Sequence, residues 1–262
     1  MALSDEELTR YARHLVLRQV GGPGQAKIRQ TSVLIVGAGG LGSPLALYLA
    51  AAGIGRLGLV DDDSVGLSNL QRQILFKTSD VGRPKVQAGY DALKALNCGV
   101  QIDLHPVRLT AANALELIGG YDIIADGSDN FPTRFLINDA CFFAKKPLVS
   151  AAVSEFEGQL ATYKAYQDGY PCYRCLFAQP PPPDTVQSCS QTGVLGAAAG
   201  VMGSLQALEI LKEAADLGAG LAGKIIIYKA LTTEFRTLRL AKDPACPLCG
   251  ENPKICDLSG HG

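Results

Sequence analysis

The stretch that decides the fold is Ser32-Val33-Leu34-Ile35-Val36-Gly37-Ala38-Gly39-Gly40-Leu41-Gly42. Its first five residues are mostly apolar and predict a strand, and Leu45 to Ala52 predicts the helix that follows. In Gly37-x-Gly39-x-x-Gly42, small residues let backbone amides approach a phosphate group at the positive end of that helix. Asp61, at the end of the next predicted strand, stands where an acidic side chain can bind a ribose hydroxyl.

This loop by itself leaves three interpretations open. It fits a nicotinamide-dependent oxidoreductase and an enzyme of ATP chemistry equally well, because both bind phosphate on a glycine-rich turn. It also permits a turn with a purely structural role. The decision between them depends on residues elsewhere in the chain.

Outward from this stretch, strands and helices alternate up to about residue 155. The predicted helices are Lys85 to Leu96, Ala111 to Ile118 and Pro132 to Phe143, and the predicted strands are Leu57 to Val60, Val100 to Leu104, Asp122 to Ala125 and Pro147 to Ala151. Such alternation predicts an α/β fold of the Rossmann-like kind, with a mostly parallel sheet and helices on both faces.

Beyond residue 155 the alternation stops. Gln159 to Tyr166, Lys224 to Tyr228 and Phe235 to Leu240 are predicted strands, and we expect them to extend the sheet in mixed or antiparallel fashion. Between the first two lie an excursion of about residues 167–192 and a glycine-rich helix from Gly193. At the other end, Ser4 and Glu7 form a capping-box pattern that opens a helix, whose apolar face would carry Leu8, Tyr11, Ala12 and Leu15.

Composition excludes several classes of protein. The 262 residues carry a formal net charge of −1 without a basic run, which argues against nucleic acid as a partner. The uncharged stretch from Gly193 to Leu208 is shorter than the roughly 20 residues that span a bilayer, so we expect no membrane partner. Eight cysteines without a secretion signal favour a reducing compartment and a cytoplasmic location.

Polar residues beyond Asp61 distinguish ATP chemistry from hydride transfer. Arg72 and Lys85 are cations that could balance a triphosphate and the charge that develops on its α-phosphorus. Asn69 could donate an amide hydrogen bond to phosphate. Asp129 follows a predicted strand and could hold a magnesium ion, although it could equally cap the helix near Pro132. Each of these residues, taken singly, also fits an ordinary solvated loop.

Two pairs of cysteines have the spacing of metal knuckles. Cys172-x-x-Cys175 and Cys246-x-x-Cys249 can each supply two corners of a tetrahedron around zinc. Four cysteine ligands leave no open position, so such a site would be structural and would tether the excursion to the C-terminal part. Coincidence or redox pairing is the alternative.

The combined pattern resembles the MoeB/ThiF/HesA family of ubiquitin-activating-enzyme-like adenylyltransferases. The matching pieces, which cover most of the chain in the family's order, are Arg10-Tyr11-Ala12-Arg13-His14, the loop 37–42, Leu67 to Gln73, Val81-Gly82-Arg83-Pro84-Lys85, Ser128-Asp129-Asn130 and Pro171 to Cys175.

The resemblance implies a role for each of these pieces. Asp61 would bind the ribose of ATP, Asn69, Arg72 and Lys85 its phosphates, and Asp129 a magnesium ion. Arg13 would reach the ATP of a neighbouring subunit, which makes a homodimer necessary. The implied nucleotide-binding set is Gly37, Gly39, Gly40, Gly42, Asp61, Ser68, Asn69, Leu70, Gln71, Arg72, Gln73, Lys85, Asp129 and Asn130.

The resemblance also implies an activity. The expected reaction is ATP-dependent adenylation of the C-terminal glycine of a ubiquitin-like sulfur-carrier protein ending in Gly-Gly, with release of pyrophosphate. Sulfur would come from a separate donor. We therefore expect a single adenylating domain over residues 1–262: a helical arm (1–30), a nucleotide-binding half (31–155) and a carrier-binding, zinc-containing half (156–262).

One further cysteine and three rival functions stay open. Cys189 lies where some members of the resembling family carry a cysteine that can join the carrier covalently, but it could also be a loop cysteine without a catalytic role. The rivals are an NAD(P)-dependent oxidoreductase, a catalytically silent binding scaffold, and a related ATP-dependent enzyme that activates another carboxylate, such as one borne by tRNA.

Overall fold

The computed structural model describes residues 3–181 and 193–261. Within that part of the chain the strands form one eight-stranded sheet in the order β3-β2-β1-β4-β5-β6-β7-β8. Their bounds are β1 Ser32–Val36, β2 Arg56–Val60, β3 Gln101–His105, β4 Ile123–Asp126, β5 Leu148–Ser154, β6 Glu157–Tyr163, β7 Lys224–Lys229 and β8 Glu234–Arg239.

The strand pairing changes from parallel to antiparallel at one place in the sheet, between β5 and β6. Strands β1 to β5 pair in parallel, whereas β6, β7 and β8 continue the sheet through antiparallel pairs. The predicted mostly parallel sheet with antiparallel C-terminal strands is therefore confirmed. Strand β4 extends one residue past the predicted end at Ala125, because Asp126 pairs with Val36 and its buried carboxylate finds partners there.

Helices cover both faces of the sheet, as predicted. Their bounds are α1 Asp5–Arg10, α2 Ala12–Leu15, α3 Gly21–Gln30, α4 Gly42–Ala52, α5 Lys85–Leu96, α6 Ala114–Gly119, α7 Phe131–Ala144 and α8 Gly196–Ala215. Because side chains alternate along a strand, Ile35 joins the apolar layer under α4, α5 and α8, while Leu34 joins the layer under α6 and α7.

The N-terminal arm departs from the predicted single helix. The capping box of Ser4 and Glu7 is present, but the helix breaks at Tyr11, whose backbone leaves the helical region at φ −99° and ψ 13°. The break lets the Tyr11 ring enter the protein, where its hydroxyl accepts a hydrogen bond from Asn97. Leu8 and Ala12, predicted on the buried face, are exposed in this chain.

The glycine-rich helix α8 packs closely against its neighbours, as expected for a buried helix. A Cβ atom at Gly203 would lie 2.4 Å from the carbonyl oxygen of Leu41, so only glycine allows this approach to the end of the loop 37–42. In the part of the chain that the structure describes, no helix is long and apolar enough to cross a membrane.

Candidate active site

The site lies at the edge of the sheet where the parallel strands end. Gly37 follows β1, Asp61 follows β2 and Gly127 follows β4, and these strands are neighbours. Helix α4 begins at Gly42, and its N-cap residue Leu41 makes no side-chain capping hydrogen bond. Among the described residues, the backbone N–H groups of Gly40, Leu41 and Gly42 have no acceptor, so an anion at this edge can accept from them, whereas that of Ser43 donates to Gly39 and Pro44 has none.

Asp61 is fixed against the glycine loop. Its Oδ2 accepts a hydrogen bond from the backbone N–H of Ala38 at 2.8 Å, and its Oδ1 accepts from the N–H of Asp63 at 3.0 Å. Burial raises the pKa of Asp61, and the neighbouring ammonium group of Lys85 acts in the opposite direction. The side chain is thus a preorientated acceptor beside the loop, in keeping with the predicted ribose contact.

Lys85 is a buried cation held between two carboxylates. It is the first residue of α5, directly after Pro84, as the sequence predicted. Its Nζ donates to Asp63 at 2.7 Å and lies 3.7 Å from the Oδ1 atom of Asp61. Since Asp63 is largely exposed, an incoming anion can compete with it for the lysine.

The segment from Ser68 to Gln73 lies against the glycine loop. The aliphatic part of Arg72 lies 3.4 Å from the position that a Cβ atom of Gly40 would occupy, and its Nη1 donates to the carbonyl of Ser68. Gln73 is buried beside Gly39, and its Oε1 has no hydrogen-bond partner among the described residues. A buried acceptor without a partner is costly, and a ligand or water could satisfy it.

The remaining residues of this segment have different surroundings. Asn69 closes its own turn, because its Oδ1 accepts from the backbone N–H of Gly66 at 2.9 Å. Ser68 and Gln71 are exposed, and Leu70 packs partly against the core. Their predicted part in nucleotide binding stays a prediction.

The sequence left open whether Asp129 holds a magnesium ion or caps helix α7. The cap of α7 is Asn130, whose Oδ1 accepts from the backbone N–H of Thr133 at 2.9 Å. The alternative that Asp129 caps this helix is therefore wrong. Asp129 is exposed at the site edge, and its carboxylate stays available for a cation.

Arg13 lies away from the glycine loop of its own chain. Its neighbour His14 hydrogen-bonds Gln25, which in turn donates to the carbonyl of Ala52 at the end of α4. The glycine loop is at the other end of this 11-residue helix, about 16 Å away. Arg13 is exposed, and its neighbour His14 lies near the end of α4 that is opposite the glycine loop.

The two cysteine pairs converge, as predicted. Their sulfur atoms all lie within 4.8 Å of one another, with contacts of 3.4 Å between Cys175 and Cys249 and 3.5 Å between Cys172 and Cys246. A tetrahedral zinc with Zn–S bonds near 2.3 Å requires sulfur separations of about 3.8 Å. The cluster therefore fits a four-coordinate metal. The backbone N–H of Asp243 also donates a hydrogen bond to the sulfur of Cys175.

Sequence reasoning missed a group of buried polar residues beneath Asp129. Asp126, Arg134 and Ser150 surround the backbone of Ser128 and are hydrogen-bonded to one another or to it. The available signal was a charged residue at the end of an otherwise apolar strand. The predicted residue Cys189 lies outside the described residues.

The fold and the glycine-rich edge define a class: a Rossmann-like α/β protein with a loop suited to phosphate. The chain belongs to the ThiF family, whose model matches residues 11–248. It is 48% identical over 261 residues to the sulfur carrier protein adenylyltransferase of Thermus thermophilus, covering 98% of this chain and 96% of that relative. It is 51% identical to the adenylyltransferase and sulfurtransferase MOCS3 of Bos taurus, but spans 57% of that protein's length.

Solved structures have the same fold. The chain matches the crystal structure of Escherichia coli MccB with a TM-score of 0.82 at 21% identity, covering 96% of this chain and 75% of that one. The crystal structure of PaaA matches with a TM-score of 0.77 at 25% identity, covering 92% and 76%. These likenesses confirm the predicted Rossmann-like architecture.

We expect Gly42→Ala to destabilise the protein by about 1–3 kcal/mol, because a Cβ atom there would lie 2.0 Å from the carbonyl oxygen of Gly37. Gly119→Ala is the matched control, since a Cβ atom at Gly119 meets nothing within 4 Å. Urea unfolding followed by circular dichroism measures both. Equal stability of the two variants would contradict the tight turn described for this loop.

Proposed function

We propose that this protein uses ATP to adenylate the C-terminal glycine of a ubiquitin-like sulfur-carrier protein, releasing pyrophosphate. The observation that carries the proposal is the meeting of the glycine loop, Arg72, Lys85 and Asp129 at one edge of the sheet. The Thermus thermophilus relative, matched over nearly its full length, is named for this activity.

The chemistry follows from positioning and charge. An oxygen of the carrier's terminal carboxylate attacks the α-phosphorus of ATP, the bond to the β-phosphate oxygen breaks, and pyrophosphate leaves. The product is a mixed anhydride that sulfur can attack. The nucleophile is already ionised at neutral pH, so no protein base has to remove a proton.

The residues present divide the work among them. The N–H groups of Gly40, Leu41 and Gly42 and the cations Arg72 and Lys85 would hold the triphosphate, with Lys85 exchanging Asp63 for a phosphate oxygen. Asp129 would hold magnesium, which when bound neutralises negative charge on the phosphates. Asp61 would orientate the ribose.

This edge of the sheet suits the nicotinamide cofactor of an oxidoreductase less well than it suits ATP. A nicotinamide cofactor presents a diphosphate to the glycine loop and needs no additional buried cation opposite it. Here Lys85 is buried beside the loop and Arg72 packs on it, which suits the greater charge of a triphosphate. The same two cations speak against a scaffold that has lost its ligand.

The sulfurtransferase activity in the name of MOCS3 is not carried over to this chain, because the chain spans just over half the length of those relatives. We propose that a separate donor supplies sulfur. Which carrier is activated depends on a docking surface that recognises one protein among several with the same Gly-Gly tail.

A homodimer would complete the site. Arg13 is an exposed cation next to His14, which lies near the end of α4 that is opposite the glycine loop. In a twofold dimer each subunit's arm can reach the partner's loop. We propose that Arg13 contacts the phosphates of ATP bound to the partner subunit.

The four-cysteine cluster would hold zinc in a structural role. Its four thiolates leave no position for a substrate, and its location ties Cys172 and Cys175 to the segment 246–249. Four clustered thiols also suit the reducing conditions of the cytoplasm, where we place the protein.

Arg72→Ala and Asp129→Ala should each lower carrier-dependent ATP–pyrophosphate exchange about 10²–10³-fold, because each removes charge stabilisation at the phosphates. A panel of purified carriers ending in Gly-Gly provides the substrates, and Glu116→Ala, exposed on α6, is the control. No exchange by the wild-type protein with any carrier would contradict the proposed function.

Mixing two inactive variants tests the shared site. The Arg13→Ala subunit keeps an intact phosphate-binding site, and the Arg72→Ala subunit keeps Arg13. In a mixed dimer, the site of the first subunit therefore receives Arg13 from the second, and one of the two sites is complete. Equal mixing with subunit exchange should restore exchange activity to about a quarter of wild type, since half the dimers are mixed. Activity that stays at the level of the separate variants would mean that Arg13 does not act across a dimer.

Cys246→Ser should release the bound metal and lower the melting temperature, because three remaining thiolates hold zinc less tightly. Cys256→Ser, exposed and outside the cluster, should change neither quantity. Metal content by plasma mass spectrometry gives the stoichiometry and identity. Zinc retained at full occupancy in the Cys246 variant would exclude the four-cysteine site.

A further inference from the structure

The loop that presents Asp129 rests on a buried carboxylate. Asp126, the last residue of β4, is fully buried. Its Oδ1 accepts from both the backbone N–H and the hydroxyl of Ser128, at 2.9 and 2.6 Å, and its Oδ2 accepts from the hydroxyl of Ser150 at 2.7 Å. A carboxylate that accepts hydrogen bonds on both oxygens is fixed in one orientation.

Arg134 binds the same loop from the other side. It lies in the first turns of α7 and is buried, with its Nη2 donating to the carbonyl of Ser128 at 3.0 Å and its Nε 3.4 Å from the Oδ2 of Asp126. Burial acts to lower the pKa of Arg134, but the charge of Asp126 together with the interactions with Tyr173 and Tyr163 outweighs it, and the net pKa is raised. The guanidinium also lies near the ring of Phe131.

Asp126 and Arg134 therefore hydrogen-bond to two successive peptide groups, and we call this pair of residues the clamp. Asp126 binds the N–H of Ser128 and Arg134 binds its C=O, and the next residue is Asp129. Gly127 lies against the glycine loop, since a Cβ atom there would be 3.1 Å from the carbonyl oxygen of Gly37. Asp129 therefore directly follows a backbone segment that is hydrogen-bonded at Ser128 and lies against the glycine loop at Gly127.

The strand ends that carry the clamp are fixed as well. The Nε2 atom of Gln206, buried in α8, donates to the carbonyls of Asp126 and Val149, at 2.8 and 2.9 Å. This ties the carboxyl end of β4 to the first residues of β5, directly before Ser150.

We propose that Asp126 and Arg134 are positioning residues that set the affinity for Mg–ATP by fixing the backbone before Asp129; the proposal rests on the proposed function. A buried ion pair is a weak source of stability compared with apolar packing. What this pair does provide is a fixed geometry, and residues behind a metal ligand typically change metal affinity about 10–100-fold when they are replaced.

A double-mutant cycle tests the clamp. Arg134→Met should weaken Mg–ATP binding, measured by calorimetry, about 10–100-fold, and Arg134→Lys should weaken it less, because lysine keeps the charge but not the forked geometry. In an Asp129→Ala background, Arg134→Met should cause no further loss. Lys164→Met, which removes a partly buried ion pair with Glu213 at the opposite edge of the sheet, is the control and should leave binding unchanged.

A second measurement works without nucleotide and with a milder variant. Ser150→Ala removes one hydrogen-bond donor to Asp126 and leaves the ion pair between Asp126 and Arg134 in place. It is therefore the variant to measure if Arg134→Met does not fold. Amide hydrogen exchange at residues 127–130 should become faster in Ser150→Ala and Arg134→Lys, and should stay unchanged in the Lys164→Met control.

Equal losses of Mg–ATP affinity from Arg134→Met in both backgrounds, or unchanged hydrogen exchange at residues 127–130, would overturn the positioning role while leaving adenylation intact. Conversely, wild-type protein without pyrophosphate exchange, but with the predicted cycle in Mg–ATP binding, would reject the proposed function and support the clamp.

Discussion

Parallel pairing of β1 with β2 on one side and β4 on the other is the constraint on which the site depends. Because parallel strands end at the same edge, the residues that follow them are brought together without any contact between their own side chains. Gly37, Asp61 and Gly127 each stand directly after one of these strands. The start of α4 lies at the same edge, where the N–H groups of Gly40, Leu41 and Gly42 have no acceptor among the described residues and can be offered to an anion.

The charged side chains at this edge already form ion pairs with one another, and of these side chains Asp63 is the largely exposed one. Lys85 lies between Asp61 and Asp63, and Asp126 lies beside Arg134. The first arrangement leaves the cation able to change partners, since Asp63 is exposed. The second is enclosed and holds a backbone segment instead. The same edge thus carries a lysine that can change its ion-pair partner and a backbone segment that Asp126 and Arg134 hold in place.

Helix α7 connects this edge to the cysteine cluster. It starts beside Asp129, and farther along it Asn138 accepts a hydrogen bond from the backbone N–H of Tyr173 at 2.8 Å. Asp139 accepts from Arg174 and lies 2.7 Å from the ring nitrogen of His261. Burial acts to raise the pKa of Asp139, but the hydrogen bonds to His261 and Arg174 lower it overall. The residues between Cys172 and Cys175 are therefore docked onto the helix that begins at the site.

Much of the local structure could be predicted from sequence. Ser32–Val36 and Lys85–Leu96 have the predicted bounds, because apolar periodicity and the Pro84 boundary are local signals. The two Cys-x-x-Cys pairs also converge as their spacing indicated, since each knuckle is a local unit. The membership of the ThiF family follows from the same short motifs.

Tertiary structure decided what depends on pairing between distant segments. Strand order and the break of the arm at Tyr11 follow from contacts between distant segments that no local pattern contains. The burial of Asp126 is the clearest case. A charged residue is expected at the surface, and only the meeting of Ser128, Ser150 and Arg134, from three different elements, supplies the donors that offset its loss of water. The sequence by itself determined which residues are candidates for the chemistry, because short motifs are local, and the packing of the elements decided which buried residues hold their neighbours in place.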